Sequence, residues 1–221
     1  WKKLCDHWPP SPQTRREISR RAPLVAVMKR PPVVALAGLP NAGKSSLFNC
    51  LLEEERSLVF DRPGTTRDTV TATTSLRGYP VSLVDCAGLE PGARTKLGRE
   101  ATAMARKQMR EADLVLWIHD GSRRDRAVPP AGLSVLEAVS HGDRLSPAWG
   151  KRLAETARLP AYSALSGEGV KHLEGLLLGR LKLPPLPVEP APLPFAPELR
   201  KLLRATGRRV PACLPVFIAG V

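Results

Sequence analysis

Apolar residues occur along this chain in short runs that alternate with segments of helical spacing. The first run, Val33 to Ala37, is rich in apolar and β-branched residues and is predicted to form a buried strand. A helix is predicted over Ser45 to Leu52, because Leu47 and Leu51 fall on one face at helical spacing. A strand that leads through a short turn into a helix is typical of the start of an α/β domain.

The same alternation continues to residue 181. Apolar runs on either side of Gly78 predict a β-hairpin, Thr69 to Leu76 with Tyr79 to Val84. The other segments are predicted as helices over Arg99–Arg110, Pro147–Leu159 and Val170–Leu181, and as strands over Asp113–His119 and Ala161–Leu165. The run Leu133 to Val139 fits a strand or a helix, and a strand is favoured because it places polar residues at a strand end. This order predicts an α/β fold with a mostly parallel sheet and helices on both faces.

The ends of the chain differ in composition from its middle. Residues 1–30 are basic and interrupted by proline, and are expected to form a poorly ordered extension. Residues 31–183 carry the α/β pattern and are predicted to be the folded domain. Residues 184–221 combine a proline-rich linker with the apolar tail CLPVFIAGV. The chain starts with Trp1 rather than Met, which is compatible with a fragment of a longer protein or with a misplaced gene start.

The turn after the first strand has the pattern GxxxxGK[ST], from Gly38 to Ser45. In a strand–turn–helix context this pattern predicts a phosphate-binding loop, because glycine lets successive backbone N–H groups point at one phosphate. Lys44 is then predicted to reach the outer phosphates and the Ser45 hydroxyl to hold Mg²⁺. This loop by itself does not separate ATPases, GTPases and nucleotide kinases.

Two later segments supply the groups that a nucleotide switch needs around Mg²⁺. Thr65 and Thr66, in the loop PGTTRD, are placed to bring a hydroxyl to Mg²⁺ and the γ-phosphate, although a threonine run entering a strand is the alternative. Asp85 follows an apolar strand, and its carboxylate is expected to act on Mg²⁺ through water. The backbone N–H of Gly88 is expected to sense the γ-phosphate.

Composition and charge narrow the class of protein. The chain has 34 Lys and Arg against 21 Asp and Glu, a net charge of +13, which favours a polyanionic partner such as RNA or simply a basic solvated surface. Aromatic residues make up 5% and include no RNA-binding motif, so the charge does not identify RNA. The four cysteines are not at metal-ligand spacing, which predicts reduced thiols in a cytoplasmic protein. No apolar run approaches the length of a membrane span.

The strings GLPNAGKSS, PGTTRD, DCAGL and YSALSGEG resemble the G1, G2, G3 and G5 motifs of the TrmE–Era family of translation GTPases, above all of its tRNA-modification branch. The resemblance covers about residues 33–183. It implies a Ras-like P-loop G domain that binds GTP and GDP with Mg²⁺, is activated by K⁺ and hydrolyses GTP. It also implies a role in tRNA modification or in ribosome and RNA maturation, with tRNA or rRNA as partner, no membrane, and pairing of two G domains.

The resemblance also assigns roles to individual residues. It implies that Asn41 coordinates K⁺ beside the phosphates, although a turn residue with positive φ is the alternative. Gly64 and Thr65 would lie close to that cation, and Thr66 would meet Mg²⁺. The resulting nucleotide-binding set is Gly38, Asn41, Ala42, Gly43, Lys44, Ser45, Ser46, Gly64, Thr65, Thr66, Asp85, Gly88, Asp143, Ser163, Ala164 and Leu165. Within it the catalytic residues would be Lys44, Thr66 and Gly88, and the Mg²⁺ ligands Ser45, Thr66 and Asp85.

Two motifs depart from the family pattern. The G4 motif, usually [NT]-K-x-D, is matched only by Asp143 in the string SHGD, where the carboxylate would accept from guanine N–H groups or simply cap a helix. In the second switch, Thr95 stands where the branch has a water-orienting Glu, with Glu90 and Glu100 on either side. These departures leave two alternatives open: a G-domain module that binds GTP and GDP with little hydrolysis, and a P-loop ATPase.

Overall fold

The computed structural model describes residues 16, 23–53, 70–89, 92, 94–122, 127–141 and 159–186. The chain divides into two units, Arg30–Leu183 and a second unit made of Trp1–Lys29 and Pro184–Val221. In the second unit residues 23–29 are helical, with Leu24 and Val25 buried. The expectation of poor order up to residue 30 is therefore wrong for this stretch. Its proline stands at the first helical position, where a missing N–H costs nothing.

The described part of the larger unit contains five strands and three helices. The strands are β1 Val33–Gly38, β2 Val70–Leu76, β3 Tyr79–Asp85, β4 Leu114–Asp120 and β5 Val135–Ser140, and the helices are α1 Lys44–Glu53, α2 Lys96–Glu111 and α3 Val170–Leu181. The strands form one sheet in the order β2-β3-β1-β4-β5. The β2–β3 pair is antiparallel and the β1–β3, β1–β4 and β4–β5 pairs are parallel, which confirms the predicted sheet.

The central strands are apolar on both faces because helices cover both sides of the sheet. On one face Leu36 and Leu116 belong to a core that includes Leu47 of α1 and Leu177 of α3. On the other face Ala35 and Ala37 of β1 belong to a second core with Ala105 and Met109 of α2. Burial on both faces explains why β1 and β4 appear in the sequence as continuous apolar runs rather than as alternating patterns.

The parallel strands place their carboxyl ends at one edge of the sheet. β1 ends at Gly38, β3 at Asp85, β4 at Asp120 and β5 at Ser140. In sheets of this kind ligands bind outside the carboxyl ends of the strands. The polar residues predicted at the ends of β1 and β3 therefore lie at the edge where a nucleotide site is expected.

Two predicted elements differ from those observed. The helix predicted from Arg99 begins at Lys96, because Thr95 caps it and its side chain accepts a hydrogen bond from the backbone N–H of Gly98. The strand predicted over Ala161–Leu165 is reduced to a bridge between Ala161 and Val139. The chain then turns, with the Ser163 N–H bonded to the Glu168 carbonyl at 2.9 Å. The helix predicted over Pro147–Leu159 falls, except for its last residue, outside the described residues.

We predict that the loop before α3 depends on Gly169. This residue has a φ of 77°, and an added Cβ would overlap the Ala161 carbonyl oxygen. Gly169→Ala should lower the free energy of unfolding by at least about 2 kcal/mol in urea titrations. Gly179→Ala is the matched control, because Gly179 lies within α3 with open space around it. That change should be neutral or stabilising by up to about 1 kcal/mol, and equal effects of the two changes would contradict the prediction.

Candidate functional site

The loop between β1 and α1 is folded back tightly against the end of the sheet. Gly38 lies so close to β4 that a Cβ would overlap the Ile118 carbonyl oxygen. Asn41 and Gly43 have φ values of 63° and 84°, so the turn uses the left-handed region twice. The positive φ of Asn41 agrees with its interpretation as a turn residue. The loop therefore has the backbone geometry of a phosphate cradle.

The Lys44 side chain is held inside this loop. Lys44 is 7% exposed, and its Nζ donates a hydrogen bond to the Leu39 carbonyl oxygen at 2.9 Å. Burial lowers the pKa of Lys44, and the nearby Asp85 and Cys86 partly offset this effect. An anion beside Nζ would favour the charged ammonium. The loop therefore holds a cation that a bound phosphate would stabilise.

Ser45 and Asp85 meet where α1 begins and β3 ends. The Ser45 hydroxyl donates to Asp85 Oδ2 at 2.6 Å. The other oxygen, Asp85 Oδ1, is buried and has no hydrogen-bond partner among the described residues. A hydroxyl and a carboxylate with a free buried oxygen are the hard oxygen donors that Mg²⁺ prefers. These two residues therefore fit the predicted Mg²⁺ site.

The segment after β3 continues alongside the phosphate loop. The Leu89 N–H donates to the Gly38 carbonyl at 3.0 Å. Gly88 lies directly against Pro40, since an added Cβ would be 2.8 Å from the Pro40 Cα and N atoms. Any side chain at position 88 would therefore push this segment away from the loop. The fold therefore places Gly88 directly against the β1–α1 loop.

A pocket of about 270 Å³ opens beside α1 and the end of β5. Its lining consists of Gly43, Ser46, Ser140, His141, Tyr162, Ser163, Ala164 and Leu165. The three residues predicted from the G5 motif all belong to this lining. Tyr162 was not predicted and is buried, with its hydroxyl lacking a partner in the described part of the chain. The pocket lies beside the phosphate loop and is the candidate site for the base.

One wall of this pocket is held by hydrogen bonds at the ends of β4 and β5. Ser140 Oγ donates to the His119 carbonyl at 3.1 Å and lies 3.0 Å from His141 Nδ1. His141 has a φ of 57°, and its Nδ1 lies 3.2 Å from Asp120 Oδ1. The Ser140 hydroxyl thus joins the end of β5 to the end of β4, and His141 contacts the Asp120 carboxylate at the pocket wall.

Sequence reasoning missed Asp120. The backbone N–H and the hydroxyl of Ser122 both donate to Asp120 Oδ1, at 2.9 and 2.6 Å. Desolvation by burial acts to raise the pKa of Asp120, but the bonds from Ser122 and the neighbouring His141 lower it overall. The signal in the sequence was a carboxylate at the end of a buried strand, followed by Gly and Ser. That signal does not say which side chain Asp120 will meet.

The predicted site residues fall into two groups. The structure brings together those of the β1–α1 loop with Asp85 and Gly88, and places the G5 residues at the adjacent pocket. The other four, Gly64, Thr65, Thr66 and Asp143, lie outside the described residues. In the described part of the chain no cluster of His, Cys, Asp and Glu forms a separate metal site. None of the described helices has the length and apolar character to cross a membrane.

In the second switch, the described side chains at and beside the water-orienting position make contacts within α2. Thr95 uses its side-chain oxygen as the cap of α2, accepting from the Gly98 N–H at 3.1 Å. Glu100 pairs with Lys96 at 4.0 Å on the exposed surface of the same helix. Glu90 lies outside the described residues. Thr95 and Glu100 are therefore both engaged in local contacts of α2.

Comparisons with known proteins agree with this geometry. A family model described as 50S ribosome-binding GTPase matches residues 33–143, half of the chain. The chain is 41% identical over 155 residues to a tRNA modification GTPase MnmE of Rhodospirillum rubrum, covering 67% of this chain and 33% of that protein. It is 35% identical over 156 residues to MnmE of Aquifex aeolicus, covering 67% and 34%.

Solved structures give the same result for the fold. A structure of Era in complex with MgGDPNP and nucleotides 1506–1542 of 16S ribosomal RNA superposes with a TM-score of 0.51 at 25% identity. The match covers 73% of this chain and 59% of that protein.

The chain spans about a third of the length of the curated relatives it matches, namely 33% and 34% of the two MnmE proteins.

We predict that Cys86 is chemically inert in the folded protein. Burial raises the pKa of this thiol to about 12, and the neighbouring Asp85 adds to the shift. At pH 8 only about one molecule in ten thousand would carry the reactive thiolate. Iodoacetamide followed by peptide mass spectrometry should therefore leave Cys86 unmodified in the native protein and modify it in guanidinium. Equal rates in the two states would contradict the burial described here.

Proposed function

This chain belongs to the 50S ribosome-binding GTPase family, and on that premise we propose that it binds GTP and GDP with Mg²⁺ at the β1–α1 loop and hydrolyses GTP. It is a GTPase domain homologous to MnmE and Era. The observation that carries the proposal is the contact of Ser45 with Asp85 at 2.6 Å, directly beside the buried Lys44. A hydroxyl, a carboxylate and an ammonium at one helix N-terminus are the groups that bind a metal–nucleotide phosphate.

In this proposal the phosphates lie in the β1–α1 loop. Backbone N–H groups of the loop and the N-terminus of α1 bind the phosphate oxygens. The ammonium of Lys44 exchanges its bond to the Leu39 carbonyl for one to the outer phosphates, which lowers the cost of burying this cation. Lys44 thereby stabilises negative charge that develops during transfer of the γ-phosphoryl group.

Ser45, Thr66 and Asp85 would hold Mg²⁺ in this proposal. When bound, Mg²⁺ would neutralise charge on the β- and γ-phosphate oxygens. The free, buried Oδ1 of Asp85 supports this assignment, because an unpaired buried carboxylate oxygen is costly without a cation or water. Gly88 would donate its backbone N–H to the γ-phosphate, and its close contact with Pro40 would transmit loss of that phosphate to the loop.

The base would lie in the pocket lined by Ser163, Ala164 and Leu165. We assign guanine recognition to Asp143, whose carboxylate would accept from two N–H groups that adenine lacks. Ser140 supports this assignment because its hydroxyl fixes the end of β5, two residues before Gly142, to the His119 carbonyl of β4. His141 would replace the lysine of the usual motif as the side chain beside the base.

We propose that intrinsic hydrolysis is slow. The side chain at the water-orienting position, Thr95, carries no carboxylate and accepts a hydrogen bond as the cap of α2. The phosphate loop and Mg²⁺ would still stabilise the transition state electrostatically, so turnover falls without vanishing. K⁺ held by Asn41, with Gly64 and Thr65 nearby, would add to that stabilisation in the way a cationic side chain does.

We further propose that the partner is RNA. The relatives are named for tRNA modification, and the Era structure holds a fragment of 16S ribosomal RNA. The net charge of +13 on 221 residues supports binding to tRNA or rRNA through counterion release. The buried thiol of Cys86, which forms no disulfide in the described structure, supports a cytoplasmic location. Pairing of two G domains across the nucleotide would accompany K⁺ binding.

We predict that Lys44→Ala lowers GTP turnover by about 100- to 1,000-fold, the usual effect of removing one stabilising donor from a transition state. Asp85→Asn should raise the Mg²⁺ concentration needed for half-maximal turnover. Lys96→Ala is the control, because that lysine lies on the exposed surface of α2. Phosphate release measures turnover, and displacement of a fluorescent GDP analogue by GTP and by ATP measures base choice. Wild-type turnover equal to that of Lys44→Ala would favour a binding module, and equal displacement would favour an ATPase.

We predict faster turnover in KCl than in NaCl, and loss of this difference in Asn41→Gly. Glycine removes the carboxamide but adopts the observed φ of 63° freely, whereas Asn41→Ala also strains the turn. The two variants therefore distinguish the role of Asn41 as a ligand of K⁺ from its role as a turn residue. If Asn41→Gly keeps the K⁺ effect and only Asn41→Ala loses activity, Asn41 acts through the turn alone.

A further inference from the structure

Among the described residues, the connection between β4 and β5 contributes no helix that could cover the sheet. These strands are parallel and are joined by residues 121–134, of which the described residues 121–122 and 127–134 contain no helix. Neighbouring parallel strands are usually joined by a helix that packs on the sheet. On this face of the described structure α2 is the one helix in the core, and residues 127–133 pass beside it.

A groove of about 520 Å³ lies between α2 and residues 127–133. Its floor is apolar and is formed by Leu39, Leu89, Met109, Trp117 and Leu133. We call it the α2 groove. It is separate from the base pocket, which has different lining residues and about 270 Å³. An apolar groove of this size, bordered by a helix, is suited to bind apolar side chains of another helix.

The rim of the α2 groove is positively charged. Arg106 and Arg110 are exposed one helical turn apart along it, and neither has an ion pair among the described residues. The lysines elsewhere on α2 are different, since Lys96 pairs with Glu100 at 4.0 Å and Lys107 with Glu111 at 3.9 Å. Arg99, the remaining cation of α2, donates to the Arg94 carbonyl at 3.2 Å, whereas Arg106 and Arg110 line the groove.

Thr102 provides a polar point inside the groove. Its hydroxyl oxygen is buried and has no hydrogen-bond partner among the described residues, although the residue lines the cavity. A buried hydroxyl without a partner is costly, and a polar atom of an occupant reaches it only after the groove wall has shifted. The α2 groove thus combines an apolar floor, one unsatisfied polar atom and two available cations.

We propose that the α2 groove binds an acidic amphipathic helix of a partner protein. Apolar side chains of that helix fill the floor, and carboxylates on its flank face Arg106 and Arg110. The helix of the partner lies on the face of the sheet where a crossover helix packs in other parallel sheets. RNA fits less well, because phosphates on an apolar floor would lose their hydration without compensation.

The groove also touches both segments that are proposed to hold phosphate. Leu39 accepts the Lys44 hydrogen bond through its carbonyl, and Leu89 directly follows Gly88. A shift of either segment changes the floor, so partner binding should differ between the GDP and GTP forms. This coupling rests on the proposed function, whereas docking itself does not.

The test uses two synthetic helical peptides with the same leucine stripe, one flanked by Glu and one by Lys, titrated into the full chain by fluorescence anisotropy. The Glu peptide should bind about ten-fold or more tightly than the Lys peptide. Arg106→Glu with Arg110→Glu should reverse that order. The matched control, Lys96→Glu with Lys107→Glu, changes the net charge equally but away from the groove and should keep it. Ala131→Trp, which fills the groove, should abolish binding of both peptides, and the Trp117 indole NMR signal should shift only when a peptide binds.

Several results would overturn the proposal. These are equal affinities for the two peptides, equal effects of the two double variants, or displacement of the Glu peptide from the groove by single-stranded RNA. The proposal would also be overturned if a second copy of the chain occupied the groove, seen as a shift of the Trp117 indole signal with protein concentration in the absence of peptide. Equal affinity in the GDP and GTP-analogue forms would overturn only the coupling. Failure of nucleotide binding with intact peptide binding would count against the proposed function and leave docking supported.

Discussion

The parallel pairing of β1 with β3 is the interaction on which the rest of this site depends. It sets Leu36 of β1 opposite Asp85 of β3. Because β1 ends only two residues after Leu36 and leads into the β1–α1 loop, the carboxylate comes within 2.6 Å of the Ser45 hydroxyl. A slip of one residue in this register would turn Asp85 to the other face of the sheet. The metal ligands, the lysine and the segment with Gly88 are therefore positioned by one pair of strands.

Burial gives the site its chemistry. Lys44 and Asp85 lie close to each other in a region where desolvation lowers the pKa of the lysine. An arrangement of charged groups that is fixed and partly dry interacts strongly with a phosphate and needs little reorganisation when it binds. The same burial makes the Cys86 thiol unreactive, since its raised pKa has burial as its largest cause. Burial thus favours binding of an anion at Lys44 and lowers the reactivity of the neighbouring Cys86.

The two departures from the family pattern have different structural consequences. At the pocket proposed for the base, Ser140 and His141 form polar contacts that join the end of β5 to the end of β4. At the second switch, the Thr95 side chain caps α2 at the position where the family resemblance implies a glutamate. We therefore expect base binding to be better preserved than hydrolysis. The connection after β4, whose described residues contain no helix, borders the α2 groove.

Much of the fold follows from the sequence alone, because its signals are local. The period of apolar residues located β1 and α1, and the GxxxxGK[ST] spacing predicted a phosphate loop, because backbone geometry and side-chain chemistry are encoded within a few positions. The prediction failed at Ala161–Leu165, where the Ser163–Glu168 hydrogen bond closes a turn instead of extending a strand. It also missed the earlier start of α2, since the cap at Thr95 lies outside the apolar pattern.

Tertiary structure alone decided what depends on distant neighbours. The pairing of His141 with Asp120 joins the ends of two strands, and no spacing in the sequence specifies it. The α2 groove likewise arises because a helix and a loop from different parts of the chain meet over Trp117. The sequence determined the chemical groups and the elements that carry them. Which of those groups face one another was decided by strand register and helix packing, because those contacts join residues far apart in the chain.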